Sequence, residues 1–294
     1  MRAGLHSKKK KSSFKSALLL GLIFGISLVV CQELAYQYRM QKRYEQYGPI
    51  VTSVPRSTAS PVLGSVVTRP LEESAPPQEP DAEESGVPVG YSYSDDSNDV
   101  CIEIGNEEIT IDFTALKSEN GDFTGWFVIP GTDISYPVVQ GTDNAFYLDH
   151  VFDGSYNTVG TLFADYRNMM LGDENTIIYG HNFHQFGAMF SKMVYYAHQD
   201  YYEEHPVMYY LTEECGYKIE VFSVYEASTF DPVFTLTFVG DKDYGVFLDH
   251  VMEMSVVKTV VRVTERDKVM TLSTCSNDYY DRRFVVVGKV SAFA

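Results

Sequence analysis

The sequence predicts a mostly β fold over residues 100–294, a barrel or sandwich of about eight short strands decorated with helices. Three observations predict it. Short alternating or apolar runs recur through this stretch. Turn signals such as Pro130-Gly131, Gly141-Thr142 and Gly172-Asp173 separate them. Only two segments carry a helical period. A stretch of this length is ample for a single core.

In chain order, the candidate strands are GWFVIPG from Gly125, ISYPVVQ from Ile134, GTLFADY from Gly160, NTIIYGH from Asn175 and VMYYLT from Val207. YKIEVFSVYEA from Tyr217, VVRVTE from Val260, KVMTLST from Lys268 and RFVVVGKV from Arg283 follow. Each is rich in β-branched and aromatic residues. The first helical segment carries Met189, Phe190, Met193 and Ala197 and ends at His205-Pro206. The second runs from Asp241 to Lys258 with Tyr244, Phe247, Leu248, Val251 and Met252 on one face.

The remainder of the 294 residues reads differently. Residues 1–16 form a basic N-terminus with Lys8 to Lys11 and Lys15, followed by the apolar run ALLLGLIFGISLVVC. The run is short for a span of about 20 residues, and Leu34 to Tyr36 extend it. Residues 17–36 are therefore expected to be a transmembrane signal-anchor, the alternative being a cleaved signal peptide. The basic flank sets the N-terminus in the cytoplasm and the rest outside. Residues 37–99, with PLEESAPPQEPDAEESGVPVG, read as an extracellular, disordered, acidic and Pro-rich linker.

Charge follows the same division. Residues 1–47 hold 9 Lys/Arg against 2 Asp/Glu, residues 48–99 hold 2 against 9, and residues 100–294 hold 12 against 29. Such an acidic domain has no electrostatic footprint for nucleic acid. The four cysteines, Cys31, Cys101, Cys215 and Cys275, lack zinc-site spacing. An exported chain allows a Cys101–Cys215 disulfide. His181 and His184 make an HxxH with no evident further ligand, so neither metal nor cofactor is expected.

Cys275 is the cysteine with unusual surroundings. A cysteine ending a strand ordinarily reads as a buried structural residue. Here KVMTLSTC meets the polar turn SNDYYD, which puts the thiol at a rim, where a neighbouring charge or base can activate it. His181 likewise follows an apolar strand, and Arg283 opens the strand after Cys275, so a hairpin can return its guanidinium toward the thiol.

TLSTC with downstream RFVVVGK, the segment IIYGHNFHQFGAMF, and GWFVIPGTDISYPVVQGTDNAFYLDHVF together resemble the sortase family, class B. The resemblance implies a closed β-barrel of about eight strands with peripheral helices, including an N-terminal helix and a long helix between late strands. It also implies a thiol protease-like transpeptidase (EC 3.4.22 type) on the surface of a Gram-positive cell. By motif, Cys275 is the nucleophile, His181 the acid/base and Arg283 the oxyanion stabiliser; Asn144, Leu148 and Ser273 line the substrate groove. Asn277 and Asp278 are both open as a third catalytic member. The implied partners are a C-terminal sorting signal, NPQTN-like or S/NPxTG-like and cleaved after Thr, and a wall-peptide amine from lipid II or peptidoglycan. A pilin-polymerising enzyme and a purely hydrolytic cysteine endopeptidase are the alternatives.

Overall fold

The structure, a computed structural model, describes residues 51–55, 89–93, 100–104, 107–183, 187–275 and 281–293. The expected membrane anchor and most of the expected linker lie outside the described residues, among which no helix is long and apolar enough to cross a membrane. Two short strands, β1 (Val51–Pro55) and β2 (Val89–Tyr93), fall within the stretch read as linker. With β3 (Val100–Ile104) and β4 (Glu107–Ile111) they form an antiparallel sheet of order β1-β4-β3-β2. Both carry the β-branched or aromatic residues that favour a ladder over coil.

Helix α1 (Phe113–Glu119) follows directly. Asp112 caps it, its Oδ1 accepting from Ala115 N at 2.7 Å, and the helix buries Phe113 and Leu116. This is the early helix the resemblance implies. It leads into β5 (Phe123–Val128), whose Phe123 ring packs edge-on against Phe152 at 5.7 Å.

The main body is a closed eight-stranded barrel. After β5 come β6 (Ser135–Val139), β7 (Leu162–Ala164) and β8 (Asn175–Tyr179). A two-stranded ribbon, β9 (Asn182–Phe183) and β10 (Ala188–Met189), stands outside the barrel. The 3₁₀ helix Ser191–Ala197 and α2 (Gln199–Glu204) lead to β11 (Val207–Leu211) and β12 (Gly216–Ser228). Helix α3 (Asp241–Met254) precedes β13 (Lys268–Cys275) and β14 (Arg282–Phe293). The barrel order is β11-β12-β14-β13-β8-β7-β6-β5, antiparallel except for the parallel pairs β6–β7 and β8–β13. Closure leaves no free barrel edge.

Two faces of the barrel wall are covered. Strand alternation turns Phe284 and Val286 one way and Val285 and Val287 the other. Val285 and Val287 pack with Phe222, Tyr225 and Val269 under α3. From α3, Tyr244, Phe247, Leu248 and Val251 meet them at helical spacing, each side chain contributing roughly 1.5–3 kcal/mol by leaving water.

Three sequence expectations need correction. Val260–Glu265 is not a strand: it joins no ladder, and Val261 and Val263 are partly buried because they pack on the α3 cluster. The long helix ends at Met254 instead of Lys258; Ser255 is extended and Val256 N bonds Val224 O at 2.8 Å, in a β-branched stretch with poor helix propensity. The Met189–His205 segment is not one helix, because Met189 has φ 54° and ends the β10 ribbon. Cys215 is a free thiol, its Sγ 3.3 Å from Phe293 O.

Candidate active site

Three neighbouring strands bring the sequence-predicted residues to one rim. Strand β13 runs parallel to β8 with Ser273 opposite Tyr179, so both strands end at the same edge of the barrel. Gly180 and His181 continue from β8, and Thr274 and Cys275 complete β13. Antiparallel β14 begins at that edge, which sets Arg283 opposite Cys275 in the backbone register and opposite Ala227 of β12 on its other side. Arg282, one residue earlier, is exposed and opposite Ser228. Asn277, Asp278 and His184 lie outside the described residues.

A cavity of about 350 Å³ opens beside this rim, and Asn144, Leu148, His181, Ser273 and Arg283 all line it. Gly180 N donates to Ser273 O at 3.1 Å and Phe190 N to His181 O at 3.0 Å, so the loop bearing His181 is tied at both sides. His181 Nε2 lies 2.6 Å from Leu148 O. A carbonyl only accepts, so Nε2 carries a proton there. Leu148 itself is 41% exposed, which sets it at the cavity mouth instead of in the core. Ser273 is buried, and its Oγ has no hydrogen-bond partner among the described residues, a hydroxyl on the cavity wall awaiting one.

Three residues of the cavity lining, Asn144, Arg167 and Tyr179, are braced by one buried carboxylate. Asp165, just past β7, is wholly buried and accepts from Arg167 Nε at 2.9 Å and Nη2 at 2.8 Å, from Asn144 Nδ2 at 3.0 Å and from Tyr179 OH at 3.1 Å. Burial raises its pKa, but these hydrogen bonds and the Arg167 charge more than reverse that and hold it below the ordinary carboxylate value. Burial, then the Asp165 charge, pushes the Tyr179 hydroxyl far above its usual value, with Arg283 pulling weakly the other way. Asn144 Oδ1 accepts from Tyr166 N at 2.9 Å, so this amide is held by the same turn.

Sequence reasoning did not single out Asp165, Arg167 or Tyr179, nor Phe163, Thr229 and Phe234, which also line the cavity. The one available signal was the charged pair Asp165-x-Arg167 directly after an apolar strand. Three other described histidines, His150, His205 and His250, serve local structure. His150 stacks on Phe146 at 4.0 Å, His205 Nδ1 meets Pro130 O at 3.0 Å, and His250 Nε2 lies 3.2 Å from Asp231 Oδ1. Among the described residues no group of three or more His, Cys, Asp or Glu is placed to hold a metal ion.

Residues 127–291 match the family model of the sortase domain. The chain belongs to the sortase family. It is 36% identical to Sortase B of Staphylococcus aureus over 187 residues, 63% of this chain and 76% of the relative. Sortase B of Listeria monocytogenes is also 36% identical, over 188 residues and with the same coverage. Among solved structures, a Staphylococcus aureus sortase B-substrate complex aligns with TM-score 0.59 at 36% identity, covering 62% of this chain and 85% of that one. Clostridium perfringens sortase B aligns with TM-score 0.58 at 31% identity, covering 60% and 98%. This sortase is thus of class B, a cysteine transpeptidase of the cell-wall anchoring type, and its closed barrel is the one its relatives share.

Proposed function

We propose that this sortase is held in the membrane by residues 17–36, faces the outside of the cell, and joins surface proteins to the cell wall through an acyl-enzyme on Cys275. The observation that carries this reading is the register: Arg283 opposite Cys275 on β14, with the parallel β8 delivering His181 to the same edge. In this scheme the Cys275 thiolate attacks the carbonyl carbon of the threonine in a C-terminal sorting signal. Arg283 supplies fixed positive charge where the oxyanion develops. The C–N bond then breaks, and His181 gives a proton to the departing amine. A wall-peptide amine from lipid II attacks the thioester next; His181 takes a proton from it, and the thiolate leaves. Asn144, Leu148 and Ser273 hold the signal in the groove, which agrees with their lining the cavity. NPQTN-like and S/NPxTG-like signals are the candidates.

The test is product analysis on the full chain with a peptide library of such signals, with and without an amine acceptor. Cleavage after Thr, peptide–amine product and a mass adduct on Cys275 are expected, all lost in Cys275→Ala. Free acid as the sole product with amine present would leave a hydrolytic endopeptidase. Undiminished turnover by Cys275→Ala would overturn the nucleophile assignment.

A further inference from the structure

We propose that Arg167 is a specificity-determining residue: the guanidinium edge turned away from Asp165 takes an amide or carboxylate side chain of the bound signal peptide, about three residues from the cleaved bond. This deepens the transpeptidase reading and rests on it.

The first support is the cost of the arrangement. Asp165 is fully buried and does not line the cavity. Burying a carboxylate is expensive unless it is paired and hydrogen-bonded. Its two oxygens receive Arg167 Nε and Nη2, Asn144 Nδ2, Tyr179 OH and, on Oδ1, Arg167 N at 3.0 Å. The main chain is pinned too, with Gln140 Nε2 on Asp165 O at 2.8 Å and Asp165 N on Ile177 O at 2.9 Å. Nearly all of this fixes one object, the plane of the Arg167 guanidinium.

The second is what that plane presents. Arg167 is half-exposed and lines the cavity. Two of its five N–H groups lie on Asp165; among the described residues the other edge has no hydrogen-bond partner. Tyr166 flanks the group, with its ring centroid 5.9 Å from Arg167 Cζ. A rigid fork with a vacant edge matches a planar acceptor side chain.

The third is charge. In a domain where acids outnumber bases by 29 to 12, the cavity is lined, among the described residues, by Arg167, Arg283 and His181 and by no Asp or Glu. A hydrogen-bond acceptor is therefore favoured there. Arg167 follows β7, two strands from β13 in the barrel order β13-β8-β7. Two strand spacings are about 10 Å and an extended peptide advances about 3.3 Å per residue, which sets the contact about three residues from the scissile carbonyl.

The test uses the full chain, Arg167→Gln and Arg167→Lys, with a cleaved signal peptide and its single-alanine variants. Arg167→Gln is expected to raise KM about 10- to 100-fold, the range for a hydrogen bond to a charged group, with single-turnover acylation at saturating peptide changed less than about threefold. One alanine peptide should impose the same penalty on the parent and none further on Arg167→Gln. Arg167→Lys should recover part of the binding; if Arg167→Gln fails to fold, Arg167→Lys must carry the same single-position coupling. Glutamate or glutamine at that position, tried in turn, distinguishes carboxylate from amide. Equal penalties on every peptide, or a loss confined to the acylation rate, overturns the proposal while leaving Cys275-dependent cleavage in place. Failure of the parent to cleave any peptide through Cys275 overturns the transpeptidase reading, and this one with it.

Discussion

Gly180 precedes His181, and replacing it with alanine isolates how firmly the histidine loop is held. A Cβ built there meets Leu162 Cδ2 at 2.4 Å and Phe190 Cδ2 and Cγ at 2.6 and 2.9 Å. Ordinary carbon contacts fall near 3.5–4.0 Å, so the methyl overlaps both side chains by roughly 1 Å. Neither can yield easily: both are fully buried, and the Phe190 ring is seated edge-on against Phe127 at 5.8 Å. Overpacking of this kind costs about 1–3 kcal/mol. At roughly 2–4 °C per kcal/mol for a domain of this size, Tm should fall by about 2–12 °C. The backbone has another outlet, which is to move the loop and stretch the Gly180 N to Ser273 O bond. A 1 Å displacement of a catalytic group costs on the order of 10²-fold in rate. Thermal unfolding and single-turnover acylation of Gly180→Ala measure both outlets, and in a Leu162→Ala background the same substitution should take a smaller further toll on each, because the nearest atom is gone. Parent-like Tm together with parent-like acylation would refute the packing argument.

Arg283→Lys keeps the charge but loses the fork, so kcat should fall about 10²- to 10³-fold with KM little changed, whereas Arg282→Lys should be nearly silent; steady-state kinetics showing equal effects would refute the assignment. Asn175 is fully buried, donates to Val233 O and Thr235 O at 2.9 Å and accepts from Thr271 Oγ1 at 2.8 Å. Asn175→Ala orphans these groups and should cost about 3 kcal/mol or more, read as a lowered denaturation midpoint; a parent-like midpoint would count against it. The folded-state pKa of Asp165 is depressed, so its stabilisation is complete above the unfolded value of about 3.9 and is lost as pH falls through the lower folded value. The Tm gap between the parent and Asp165→Asn should therefore narrow between pH 7 and 3, and a gap independent of pH would contradict this.

The barrel is legible in the sequence because its strands bury their faces in the characteristic period. VMYYL is buried throughout, and RFVVVGK buries its centre between half-exposed ends. Val260–Glu265 shows the limit of that signal, since Val261 and Val263 turn inward without a ladder, and alternation reports burial rather than hydrogen bonding. The Tyr244–Val251 face of α3 is legible for the same reason. Cys275, His181 and Arg283 can be found because each sits where an apolar run meets a polar turn. Asp165 and Arg167 cannot, since DYRN after LFA is equally a common strand-ending turn. Only the spatial convergence of Asn144, Tyr179 and Arg167 on one buried carboxylate distinguishes the two.

The parallel pairing of β8 with β13 has a consequence for biosynthesis. Asn175 waits for Val269, and Cys275 for Arg283, so the rim closes only once β13 and β14 have both been made. Pairings this distant along the chain are the slow ones. Until β14 follows, a growing chain carries Cys275 without the strand that sets Arg283 opposite it, so this corner of the rim is assembled after the rest of the barrel wall.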